Sequence, residues 1–116
     1  MGELDLERIE EFGFEAQQCR ELLSHYQKAL ASDFHEIQVL WGKKNIEQLL
    51  LKLHAFKGMT SLFAKVSMVD FIVKLERDLQ DHTSHSAVLM EEAFQALYEK
   101  CQNLIAEVRT YLEGIA

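Results

Sequence analysis

The chain has 116 residues, 48% hydrophobic and 27% charged, with five glycines, no proline and a formal net charge of −7. That length predicts a single domain over residues 1–116, able to bury roughly two thirds of its unfolded surface without disulfide or metal staples. The acidic balance, with no block of Lys and Arg, argues against nucleic acid as a partner, because phosphate contacts need clustered cations. No apolar run approaches the roughly 18 residues of a membrane span, and the acidic stretch Met1 to Glu11 is unlike a signal peptide, so a soluble, cytoplasmic protein is expected. Cys19 and Cys101 are too few and too far apart for a zinc motif or a disulfide framework; two reduced core thiols are expected.

Apolar residues recur every three or four positions without strand-like alternation, which predicts an all-α fold. A short amphipathic stretch from Leu4 to Phe12 comes first and stops at Gly13. Cys19, Leu22, Leu23, Tyr26, Leu30, Phe34, Ile37, Leu40 and Trp41 then keep one helical face for roughly seven turns, until Gly42. One long helix accounts for this stripe; a break at Ser32-Asp33, where Asp33 and Glu36 have capping-box spacing, is the competing reading. Beyond the turn Gly42-Lys43-Lys44, Asn45 followed by Gln48 caps a helix over about Asn45 to Lys65, with Ile46, Leu49, Leu53, Phe56 and Phe63 as its stripe. Ser67 and Asp70 have the spacing of a cap for a helix through Phe71, Val73, Leu75 and Leu79, ending in the polar run Asp81 to Ser86. Leu89, Phe94, Leu97, Cys101, Leu104, Ile105, Val108 and Leu112 mark the last helix. Four substantial helices with short connections predict an antiparallel four-helix bundle with a short extra N-terminal helix.

Packing alone does not account for one segment, Leu53-His54-Ala55-Phe56-Lys57-Gly58. Gly58 falls in mid-helix, where it costs about 1 kcal/mol relative to Ala. At about 100° per residue, Lys57 and Gly58 lie roughly 60° and 40° on either side of His54, while Leu49, Phe56, Thr60 and Phe63 project from the other side. His54 is therefore predicted to face solvent. The same arc takes in Glu47, Leu50, Leu51, Ser61 and Lys65, so leucines flank an exposed imidazole that no side chain at Gly58 crowds. Such a patch suits the docking of another protein. A packing reading stands beside this one, in which Gly58 relieves a tight helix crossing and His54 is an ordinary surface histidine.

His54-Ala55-Phe56-Lys57-Gly58 resembles the His-x-x-Lys-Gly signature of histidine-containing phosphotransfer (HPt) domains of two-component phosphorelays. That family's hydrophobic-then-small pair, nine and ten positions after the histidine, corresponds to Phe63-Ala64, and its Leu-Glu pair 21 and 22 positions on corresponds to Leu75-Glu76. Helix order, the cap at Asn45 and total length match too, so the resemblance covers essentially the whole chain. Three features depart from the pattern: Ala64 stands where glycine is usual, Met59 where a small residue is usual, and the stretch before Ser67 is atypical.

The resemblance implies a carrier without ATP-dependent kinase activity of its own. It would accept a phosphoryl group on His54 from a receiver-domain aspartate and pass it to the receiver of another response regulator, in a relay fed by a hybrid sensor kinase. Imidazole, which titrates near pH 6.5 when unperturbed, is unprotonated often enough at neutral pH to attack and forms a bond labile enough to release the group. In that role Lys57 stabilises phosphoryl charge, and Glu76 accepts from Nδ1 and orients the ring with Nε2 free. Glu47, Leu50, Leu51, Gly58, Ser61, Leu62 and Lys65 form the docking rim. Mg²⁺ is expected on the receiver, with no cofactor or metal on this chain. The rival is a non-catalytic helical adaptor that docks a partner through Leu50, Leu51 and Leu62. A di-metal bundle is disfavoured because Glu-x-x-His pairs are missing from the sequence. His82 and His85 are read as a solvated turn, and His25 and His35 as surface or boundary residues. A free-standing protein and the end of a larger hybrid kinase both fit the sequence, with the start at Met1 and the complete bundle leaning towards the first. A monomer is expected, since one bundle can bury its own stripes, with a dimer through the apolar patch as the alternative.

Overall fold

Five helices follow one another in the computed structural model, which describes residues 2–11, 13, 15–81 and 87–115. They are α1 (Leu6–Glu11), α2 (Ala16–Gly42), α3 (Ile46–Thr60), α4 (Val66–Gln80) and α5 (Ala87–Ile115), and no strand occurs among the described residues. α2 packs on α3 and α5, and α4 packs on the same two, so the four long helices close a ring around one core. Short connections run them up and down, giving an antiparallel bundle of 48 × 22 × 19 Å. No helix among the described residues is long and apolar enough to cross a membrane.

The core follows the helical repeat. Leu23, Tyr26, Leu30, Phe34 and Ile37 of α2 face Leu49, Leu53 and Phe56 of α3 and Leu97, Cys101, Leu104 and Val108 of α5, all buried. Each fully buried leucine contributes on the order of 1.5–3 kcal/mol, which offsets the entropy of ordering the helices. α2 runs unbroken through Ser32-Asp33, and Asp33, far from capping a new helix, accepts from Lys52 Nζ at 3.0 Å. Leu22 is exposed because Leu23, one step round the helix, takes the core position, and Leu40 and Trp41 are half-buried. Trp41 stacks on Phe94 with centroids 4.6 Å apart and donates to Glu91 Oε1 at 2.9 Å. Helix α2 ends at Gly42 as expected, but the left-handed residue of the turn is Lys44, with φ 56°.

The segment from α3 to α4 departs most from expectation. Asn45 does cap α3, its side chain accepting from Gln48 N at 3.4 Å, but the helix stops at Thr60 and not near Lys65. Phe63 still reaches the core from the turn, edge-on to Tyr26 with centroids 5.0 Å apart, so the apolar stripe outlasts the helix. The reason lies at the other end of the chain. Leu4, expected in the first helix, pairs in an antiparallel bridge with Ala64; Asp5 N donates to Phe63 O and Lys65 N to Glu3 O, both at 2.7 Å. Lys65, extended at ψ 153°, becomes the N-cap of α4, so the expected Ser67–Asp70 cap is not formed and both residues lie within the helix. On α4 the buried face is Met68, Ile72, Leu75 and Leu79, and Phe71 and Val73, expected in the stripe, are half-buried. On α5, Phe94 is buried and Ile105 and Leu112 are half-buried. Phe12, His82 and His85, and the side chain of Leu89, lie outside the described residues.

Candidate functional site

α3 buries Leu49, Leu53, Phe56 and Thr60, so at 100° per residue the opposite face must reach solvent. His54 stands at its centre with 72% of its side chain exposed. Two lysines flank this face and tie it to the neighbouring helices. Lys52 reaches α2, 3.0 Å from Asp33 Oδ1 and 2.8 Å from Glu36 Oε2; Lys57 reaches α4, 3.1 Å from Glu76 Oε1. The two acidic partners raise the Lys52 ammonium above its ordinary value, hydrogen bonding to Glu36 contributing most.

Glu76 lies behind the imidazole. Its carboxylate is 13% exposed and divides between two cations or donors: Oε1 faces Lys57, and Oε2 lies 3.7 Å from His54 Nδ1. That second separation is too long for a hydrogen bond, so the two groups are in electrostatic contact only. Because Nδ1 faces the carboxylate, Nε2 points away from it. An ordinary surface carboxylate would be far more exposed, so the position of Glu76 between α3 and α4 is a feature of the packing.

Gly58 is exposed, and a Cβ built there meets nothing within 4 Å. The reading that Gly58 relieves a tight helix crossing is therefore incorrect: no helix crosses there. The residue leaves open space beside the imidazole at a cost in helix stability that packing does not return.

Of the remaining residues expected around His54, Glu47, Leu51 and Leu62 are exposed, the two leucines at 63% and 47%. Leu50 is half-buried against the core on the α4 side of the helix, so it contributes less of the apolar surface than expected. Lys65 is exposed but sits at the start of α4, off the arc of α3. Ser61 is the C-cap of α3; its Oγ donates to Gly58 O at 2.7 Å and its carbonyl accepts from Arg8 Nη1. Met59 packs against the core, away from His54, and Ala64 is fully buried opposite Leu4.

A groove of about 480 Å³ runs along the α2 side of this face, lined in part by His35, Val39, Leu51, Lys52 and Ala55. Val39 was not among the expected site residues. Its signal in the sequence is an exposed apolar position off the α2 stripe, one helical turn beyond His35, whose role depends on where α3 lies. Arg8 has no such signal. Among the described residues no group of three or more His, Cys, Asp or Glu is placed to hold a metal ion. Cys19 and Cys101 are buried free thiols.

Comparison with known proteins finds no matching family model, no matching curated protein and no matching solved structure.

Proposed function

We propose that the chain is a phosphorelay intermediate of the HPt kind, with His54 as the residue that carries the phosphoryl group. The observation that supports this most directly is the conjunction on one face of an exposed imidazole, a largely buried carboxylate facing its Nδ1, and a glycine whose missing side chain no packing requires. A surface histidine of no function needs none of these neighbours.

In the proposed step, Nε2 of neutral His54 attacks the phosphorus of a receiver's aspartyl phosphate. A nitrogen–phosphorus bond forms as the acyl phosphate oxygen–phosphorus bond breaks, and the electron pair leaves on the receiver's aspartate. Glu76 favours the tautomer with the proton on Nδ1, which frees the Nε2 lone pair. The same exchange in reverse loads a second receiver. Such transfer depends mainly on positioning and charge stabilisation, and Lys57, one turn from His54, gains a second anionic neighbour when the phosphoryl group arrives. Mg²⁺ belongs to the receiver's acidic pocket in this reading. The groove beside Leu51 and Val39 offers apolar surface to the docked receiver, and the open space at Gly58 lets its active site close over the ring.

The test is incubation of the protein with a receiver domain phosphorylated on its aspartate. Acid-labile, alkali-stable label on this chain, lost in His54→Gln, is the expected result. Label that persists in His54→Gln refutes the site. Receiver binding without any label supports the adaptor reading, in which the same face docks a partner without chemistry.

A further inference from the structure

The C-terminal turn of α3 is closed by donors from several elements. Ser61 N donates to Lys57 O, Ser61 Oγ to Gly58 O, Leu62 N to Met59 O, and Ala64 N and Tyr26 OH to Thr60 O. The carbonyl of Ser61 is satisfied from the N-terminal segment, by Arg8 Nη1. The same segment holds the turn on its far side through the backbone pairs of Glu3 and Asp5 with Lys65 and Phe63. It is itself anchored to α5: Glu3 N donates to Glu107 Oε2 at 2.7 Å, and Glu3 Oε1 lies 3.4 Å from Lys100 Nζ. Leu4 and Ile9 are buried beneath it.

This much structure gathers where α3 is intrinsically weakest. Gly58, two residues from the helix end, favours fraying that would release Lys57 from Glu76 and unsettle the carboxylate behind His54. We propose that residues 3–11 act as a clamp that holds the last turn of α3 closed beneath Gly58, with Arg8 as the positioning residue for the Lys57–Glu76–His54 group. Arg8 touches none of these three; it acts through the carbonyl of Ser61, where its charge also suits the negative end of the helix. The importance of the clamp for function rests on the proposed role of His54, but its existence does not.

The experiment uses the full chain and no phosphate. Amide hydrogen exchange is measured at Leu62, Phe63 and Ala64, and the ¹⁵N shifts of the His54 ring report its tautomers. Replacing Arg8 by Gln should speed exchange in the turn by about tenfold, the loss expected for one charge-assisted hydrogen bond, while exchange in the middle of α2 stays unchanged. The two ring nitrogens should move toward equal tautomer populations. Arg8→Lys should restore most of both effects, and in a Gly58→Ala background Arg8→Gln should speed exchange by no more than about threefold, because a stiffer helix needs less clamping. Unchanged exchange in Arg8→Gln overturns the clamp. Faster exchange with unmoved ring nitrogens reduces Arg8 to a structural contact and overturns its positioning role. If Arg8→Gln unfolds the chain, wild-type ring shifts in a folded Arg8→Lys with faster turn exchange do the same. None of these readings changes if His54 proves never to carry phosphate, and an absence of phosphotransfer leaves the clamp intact.

Discussion

Substitution of Gly58 sets stability and transfer in opposite directions. A Cβ at this position meets nothing within 4 Å, so Ala introduces no clash, fills no cavity and changes only the helix propensity of an exposed site. In a helix interior that difference is about 1 kcal/mol in favour of Ala and roughly 0.6 kcal/mol in favour of Gln, and these are upper bounds at Gly58, two residues from the end of α3. For a chain of this size, a gain of 1 kcal/mol raises the thermal midpoint by about 4 °C. Transfer responds to reach, not propensity. Positions 54 and 58 are one turn apart on the same face, with Cβ atoms about 6 Å from each other, so the further heavy atoms of Gln can cover the approach to Nε2 whereas a methyl group cannot. Gly58→Ala should therefore melt higher with near-normal transfer, while Gly58→Gln melts higher and accepts phosphoryl from a receiver at least about tenfold more slowly, a barrier increase of about 1.4 kcal/mol. Melting followed by circular dichroism and label transfer under single-turnover conditions measure the two effects. A lower melting point for Gly58→Ala would show that the glycine is packed after all, and unimpaired transfer in Gly58→Gln would remove the clearance argument.

Lys57→Ala should reduce stability by about 1–3 kcal/mol, because it leaves the largely buried Glu76 carboxylate without its cation while the lysine itself is a quarter exposed. It should slow transfer or shorten the phosphohistidine lifetime by roughly tenfold, and equal rates would count against an electrostatic role. Tyr26→Phe removes a buried hydrogen bond to Thr60 O, 3.1 Å long, but that carbonyl keeps Ala64 N at 2.8 Å. The expected loss is about 1 kcal/mol in urea denaturation, and a loss above about 3 kcal/mol would mean that the carbonyl is left unsatisfied. Burial pushes the Cys101 thiol up to about 12 and raises the Tyr26 hydroxyl as well. Above about pH 9 the unfolded chain therefore holds fewer protons than the folded one, so stability is full below that pH and falls as pH rises toward 12. The slope reaches about 1.4 kcal/mol per pH unit for each group. A urea midpoint that is the same at pH 8 and pH 10.5 would contradict this.

The helices, their order and most core positions are written in the apolar periodicity, because burying one stripe per helix dominates the energetics and depends only on spacing. The outward direction of His54 was legible for the same reason: with Leu49, Leu53 and Phe56 committed to the core, the geometry of α3 leaves its imidazole nowhere else to go. The pairing of Ala64 with Leu4 in the N-terminal bridge is announced by no local pattern. The end of α3 is not legible in the periodicity because Phe63 continues the stripe in phase, although the backbone has already left the helix to pair with the N-terminal segment. The seating of Glu76 between Lys57 and His54, the emptiness around Gly58 and the reach of Arg8 to Ser61 depend on how helices lie against one another. Periodicity determines which face of a helix is buried; contacts between groups 19 to 53 positions apart in the chain arise only when those faces meet.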